Sequence, residues 1–450
     1  MTDRIIADAR PTDGVFLEMF VRDLSLEDCI LDLIDNSIDS LIKSRNMDVS
    51  EILLPETIRE GNNNGGREGL EPAKIEITIN SEQFKISDNC GGIGVEAAKN
   101  DVFRIGHPTE GNEGQLGVYG IGLKRAIFKI GNDITIESKT VDEGFKMVID
   151  VPNWKEKKEW ELPFDVIEGA RDPKTAGTSI VIKSYSEEIT ERLKSGTFET
   201  ILKEMIERTY CLFLNRYVEV TLNGLKVEPK PIPIGDSPNV NIAKEEFEEK
   251  GVKVTIYAGL AGRTEEKEWK QEQAGWYIAC NGRLVIMADR NKLTGWGSNL
   301  PLFVPKFRGF VGLVLFSSKK PLLLPWTTTK QGINSESLIF QRALTRMAAT
   351  ARPVINFLNS MVSSNGSEKE PQRQAAAEIK YVDMTSLDER PRITFKASPV
   401  RIEGWETTVQ FRVKDKDLDR IKKHLGKSGW SARKIAQYTF DYYLKTECPE

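Results

Sequence analysis

Apolar residues recur at helical spacing from Leu24 to Ser44, with Ile30, Leu33, Ile34, Ile38 and Leu41 on one side of a predicted helix. Asp28, Asp32, Asp35, Asn36 and Asp39 fall on the other side. A polar loop from Arg59 to Pro72 then gives way to two alternating runs, "KIEITI" and "FKIS", which predict a β-hairpin. Four glycines between Gly114 and Gly122 lead into a short helix over 123–130. Period-two alternation returns in "DITIES", "FKMVIDV" and "TSIVIKS", and a long helical pattern covers Glu191 to Tyr210. From Tyr217 to Phe316 the chain is rich in strand patterns, followed by the loop "LPWTTTKQG" and a helix from Ser337 to about Val362.

Interleaved helices and strands predict an α+β fold. The expected order is a mixed sheet with helices on one face over 1–190, an α/β domain over 191–362, and a linker over 363–380. A small strand-helix-helix unit is expected over 381–450. Its strand residues Val409, Phe411 and Val413 alternate with Thr408, Gln410 and Arg412, ahead of helices at about 416–425 and from Ser431.

Length and composition narrow the classes. At 450 residues and 39% hydrophobic content, the chain has material for two to four buried cores. Lys and Arg total 63 against 67 acids, which argues against indiscriminate coating of nucleic acid. From Tyr381 onward there are 14 basic and 11 acidic residues, so the last unit has the opposite sign to the whole chain. The five scattered cysteines lack a paired framework, as expected of reduced thiols. With only His107 and His424, any metal is expected to be a hard cation held by oxygen. No apolar run approaches a membrane span, and the expected location is the cytoplasm.

Three stretches carry candidate chemistry. On the first helix, Asp28/Asp32 and Asp35/Asp39 are like-charge pairs four residues apart, each unfavourable by about 0.2–0.5 kcal/mol, and the first nearby base is Lys43. Such acids suit a divalent cation or a water that a carboxylate must deprotonate. In "KISDNCGGIG", Asp88 ends a strand and glycines follow, so a flat ligand can approach the backbone while the carboxylate accepts from an exocyclic amine. Gly117, Gly120 and Gly122 precede a helix amino terminus, a seat for phosphate to which Lys124 adds charge.

In order and spacing, these stretches resemble the GHKL (Bergerat-fold) ATPases over roughly residues 15–190. The resemblance implies ATP and Mg²⁺ as cofactors. In "DLIDN" it makes Asn36 the Mg²⁺ ligand and Asp32 the residue that polarises the attacking water, where the family usually has glutamate. In "DNCGGI" it makes Asp88 the reader of the adenine amine, with Gly92 and Ile93 beside it. In "GVYGIGLK" it gives Gly117, Gly120, Gly122, Leu123 and Lys124 to the phosphates, with "RIGHPTEGNEGQ" before them as a lid. Thr178 in "AGTSIVI" matches the threonine that shares a water with the purine-reading aspartate.

"GWYIACNGRLV", with Asn281, Gly282 and Arg283, and "TTTKQG" resemble the transducer domain of MutL, gyrase and MORC-type proteins, which makes Lys330 the lysine that reaches the γ-phosphate. The last unit resembles ribbon-helix-helix modules, and this implies Thr408, Gln410 and Arg412 as DNA readers, or else a dimerisation or protein-docking role. The combined expectation is a slow ATPase, closest in architecture to MORC-type and MutL proteins. It closes as a homodimer and acts on or near DNA in surveillance or antiviral defence, with a partner protein of the same system and no membrane contact. A nucleotide-sensing module with little hydrolysis and a chaperone-like ATPase with protein clients are the alternatives.

Overall fold

The computed structural model describes residues 21–48, 71–104, 115–117, 120–157, 161–263, 268–362, 370–388, 390–398 and 412–448. It divides into two compact units, one of Met1–Ser364 with Lys369–Val400 and one of Asn365–Glu368 with Arg401–Glu450.

Helix α1 (Leu26–Ser44) starts where the Ser25 side chain accepts from the Asp28 amide, and Glu27 and Asp28 in its first turn suit the positive end of the helix dipole. Its apolar stripe lies against an eight-stranded sheet in the order β5-β4-β3-β6-β2-β1-β7-β8. The strands are β1 (Ala73–Ile79), β2 (Gln83–Asp88), β3 (Gly131–Lys139), β4 (Glu143–Asp150), β5 (Phe164–Glu168), β6 (Gly177–Tyr185), β7 (Val218–Leu222) and β8 (Leu225–Lys226). The expected hairpin is β1–β2, with Ile77 opposite Ile86. In β1, Ala73, Ile75, Ile77 and Ile79 are buried while Lys74, Glu76 and Thr78 are exposed, so one face of the sheet carries the core. Helix α2 (Gly122–Ile130) packs beside α1 on that face. The helical pattern around 191–210 forms two helices, α3 (Glu187–Lys194) and α4 (Phe198–Thr209), because Gly196 at φ +66° breaks the run.

The second sheet runs β13-β12-β14-β11-β9-β15, with β10 also paired to β11. These are β9 (Ile234–Asp236), β10 (Ala243–Glu249), β11 (Val252–Ala261), β12 (Gly275–Cys280), β13 (Arg283–Asp289), β14 (Phe310–Ser317) and β15 (Lys380–Tyr381). Helix α5 (Leu338–Val362) packs against β10, β11 and β14. Every residue of β12 is buried, as in a strand covered on both faces. The fold is thus α+β, a mixed sheet with helices followed by an α/β domain.

The carboxy-terminal division differs from the expected boundary near 381. Residues 380–398 belong to the second sheet, where Lys380 pairs with Asp236 and Ile393 bridges to Lys244. Glu245 binds both Arg346 and Arg392, fixing this return segment to α5. In the other compact unit, helices α6 (Asp415–His424) and α7 (Ala432–Glu447) match the expected pair. Thr408 and Gln410 lie outside the described residues, and Arg412 is exposed and not in a strand. Among the described residues no helix is long and apolar enough to cross a membrane.

Candidate nucleotide site

A cavity opens between α1, the sheet and the start of α2. It is lined by Asn36, Ser37 and Ser40 of α1, Ile86 and Asp88 of β2, Ile93, Leu123, Ile136, and Thr178 and Ile180 of β6, with Leu33 beside them. Five residues singled out in the sequence therefore meet here: Asn36, Asp88, Ile93, Leu123 and Thr178.

Asp88 is fixed on three sides. One carboxylate oxygen accepts from Ser37 Oγ at 2.8 Å, and the other from the Cys90 amide at 2.9 Å and the Thr178 amide at 3.3 Å. Burial pushes its carboxyl above the ordinary range, and these donors pull it back toward the charged form. Thr178 Oγ1 shares a 2.8 Å hydrogen bond with Ser138 Oγ, which also accepts from the Ile93 amide. The strand end is packed backbone to backbone: a Cβ at Gly92 would stand 2.1 Å from the Lys139 carbonyl oxygen, and Gly92 has φ +72°. Only glycine fits there.

The glycine-rich turn lies over α1. A Cβ at Gly122 would be 3.2 Å from the Asp32 carboxyl, and one at Gly117 would be 2.8 Å from Asp39 Oδ2. Gly120 has φ +59°, and α2 begins without a side-chain cap, leaving its first amides available. Asp39 accepts from the amides of Leu116 and Gly117. Burial, against those amides and Lys330, pushes Asp39 up to about 7. Lys124 is buried and donates to the Arg104 carbonyl at 2.8 Å, and burial lowers its ammonium to about 8. It does not line the cavity. Residues 105–114, most of the expected lid, lie outside the described residues.

The polar face of α1 is not a solvated surface. Asp35 is fully buried, accepting from Arg283 Nε at 3.0 Å, Lys330 Nζ at 2.6 Å and Tyr210 OH at 2.7 Å. Lys330 Nζ is also 3.6 Å from Asp32 Oδ1. Burial pushes Asp35 up, but Arg283 and Lys330 outweigh it and hold the carboxyl below its ordinary value. For Asp32 burial wins over Lys330, so its proton affinity is raised. The bases missing near α1 in the sequence are thus supplied from the second sheet's domain.

Residues 24–173 match the family model for histidine kinase-, DNA gyrase B-, and HSP90-like ATPases. This span is similar to a GHKL-type ATPase domain. Among curated proteins, nothing matches the chain. The matched span of the ATPase domain contains Asp32, Asn36, Asp88 and the glycine turn, and stops before Thr178 and Lys330.

Ser37, Tyr210 and the separate tasks of Asp35 and Asp39 were not assigned from sequence. Ser37 was legible in principle as the helix neighbour of Asn36, whereas Tyr210 ends α4 and reaches Asp35 only through tertiary packing. Asn281 was noted within its motif, and its place is now specific. With Gly282 it forms a turn at positive φ on both residues, and its amide donates to the carbonyls of Gln115 and Ser318.

The Asn36 amide nitrogen is buried without a protein hydrogen-bond partner, at the cavity wall. Such a donor calls for an acceptor oxygen, of the kind a phosphate or a water offers. Among the described residues no cluster of three His, Cys, Asp or Glu side chains could hold a metal. A hard cation at this wall would be held by the Asn36 carbonyl oxygen together with phosphate oxygens and water.

Proposed function

We propose that this chain binds Mg-ATP in the cavity and hydrolyses it slowly, using the cycle to drive homodimer closure. The observation that carries the reading is the convergence of a fixed, half-buried carboxylate at Asp88, an unpartnered amide at Asn36, and Leu123 of the capless α2 start on one cavity. Asp88 accepts from the exocyclic amine of adenine, with Gly92, Ile93 and Thr178 shaping the slot. Gly117, Gly120, Gly122 and the α2 amides hold the phosphates, with Leu123 at their base. When bound through Asn36, Mg²⁺ supplies positive charge between phosphate oxygens. Asp32 orients the attacking water and takes its proton, and Lys330 offsets the charge on the terminal phosphoryl group.

Purified protein given ATP and Mg²⁺ is expected to release phosphate slowly, and EDTA is expected to abolish the release. Nucleotide binding without release would favour a sensing module. No binding at all would overturn the reading.

Lys124 gives the site a pH signature. Its lowered value means that at pH 8 about half of these side chains are neutral, and a neighbouring polyphosphate favours the charged form. Binding at pH 8 is therefore expected to take up about half a proton, and affinity to weaken as pH rises through this range. Calorimetric titration in two buffers of different ionisation enthalpy reads the uptake. It should vanish in Lys124→Met, and an uptake that persists there would reject this role.

In the carboxy-terminal unit, only Ile435 is buried among residues 412–448, while Tyr438, Phe440, Tyr442, Tyr443 and Leu444 are exposed. So small a core supports pairing with a second copy. Action on or near DNA through Thr408, Gln410 and Arg412, in surveillance or antiviral defence with a partner protein, completes the proposal.

A further inference from the structure

We infer that Asp35 is a positioning residue for hydrolysis, acting only through Lys330. This rests on the reading of Lys330 as the residue that meets the terminal phosphate. Asp35 is sealed from solvent and both its carboxylate oxygens are engaged by Arg283 and Lys330, so it acts on a nucleotide only through a partner.

The geometry fastens Lys330 at both ends with one acid–base pair. Its ammonium is 2.6 Å from Asp35 Oδ2, while its carbonyl accepts from Arg283 Nη1 at 2.8 Å. Arg283 in turn donates through Nε to the other Asp35 oxygen at 3.0 Å. Tyr210 OH lies 2.7 Å from that same oxygen and 2.7 Å from the Leu31 carbonyl, so its one proton is shared between them, and the carboxylate cannot rotate without losing Arg283 or Lys330. Lys330 has φ +56°, a conformation that a lysine seldom adopts and that surrounding contacts must hold. The outcome is an ammonium buried 3.6 Å from Asp32 rather than free on a loop.

Two consequences follow for the reaction. Before nucleotide arrives, Asp35 and Asp32 share the Lys330 charge, so the ammonium needs no large search to reach a terminal phosphate. Arg283 stays with Asp35 when Lys330 shifts toward phosphate, which keeps the buried acid compensated during the movement. Misplacing a catalytic cation by ~1 Å is enough to cost on the order of 10²-fold in rate.

A double-mutant cycle on the full chain tests this. Asp35→Asn and Lys330→Met are made singly and together, and phosphate release is measured beside the dissociation constant of a fluorescent ATP analogue. Asp35→Asn should lower kcat by about 100-fold with analogue affinity changed less than about threefold. In the Lys330→Met background the same change should have almost no further effect on kcat. Tyr210→Phe, which removes a single donor, serves if Asp35→Asn does not fold, and its smaller loss of kcat should likewise vanish without Lys330. Equal factors in both backgrounds would overturn the inference and leave Lys330 its role. A Lys330→Met protein with normal kcat would instead remove the role of Lys330 in the proposed reaction, and this inference with it.

Discussion

Replacing Asp88 by asparagine is expected to weaken ATP binding by on the order of 10²-fold. Asparagine keeps the shape and can still accept from the Cys90 and Thr178 amides, so the strand end at Asp88 should survive. What it loses is charge and one acceptor, because its amino group must take the place of a carboxylate oxygen. Adenine offers an amine hydrogen at that point, and donor then faces donor. A hydrogen bond to a charged group is worth about 1.5–3 kcal/mol, and leaving the amine unpaired adds its desolvation cost. Calorimetry on the two proteins reads the effect, with the urea midpoint as a check on folding. Equal affinities would mean that the purine is not read by Asp88.

The second large effect concerns turnover alone. Asp32→Ala should lower the rate of phosphate release by about 10²–10⁴-fold, the range expected for a lost general base. ATP affinity should change little, because Asp32 makes no contact with the wall that holds the purine. The raised proton affinity of Asp32 is consistent with a base that accepts a proton during reaction and returns it to solvent. Asp32→Glu, which keeps a carboxylate on the same face of α1, is expected to retain hydrolysis. Measured turnover separates the cases. An alanine variant as fast as the parent would show that water is activated by another group.

Much of this site was legible from local patterns. The period of α1 placed Asp32 and Asn36 one turn apart, and the alternation in β2 put Asp88 at a strand end before glycines. These features depend on neighbours within a few residues, which is what periodicity reports. The charge balance on α1 was different. Asp35 meets Arg283 and Lys330 across separations of 248 and 295 residues, and no local window holds such a pair. From sequence the acids looked uncompensated and open to ligands; in the fold two of the five polar positions serve other ends. Asp35 binds the bases of the next domain, and Asp39 clasps the amides at the root of the glycine turn. Lys124 adds a further contact that no local window shows: it stands at the helix start, and its ammonium rests on the Arg104 carbonyl, from which it turns to reach a ligand.

The segment after Tyr381 reads from sequence as the start of the last unit, yet Lys380, Tyr381 and Ile393 complete backbone pairing with strands more than a hundred residues earlier. Edge pairing is backbone chemistry and leaves little mark on side-chain patterns.

A structure of the chain with Mg²⁺ and a non-hydrolysable ATP analogue is the decisive measurement. It is expected to show the purine amine on Asp88, the metal on Asn36, the phosphates along Gly117–Gly122 and the Lys330 ammonium on the terminal phosphate. A nucleotide seated elsewhere, or one whose base points away from Asp88, would contradict this reading.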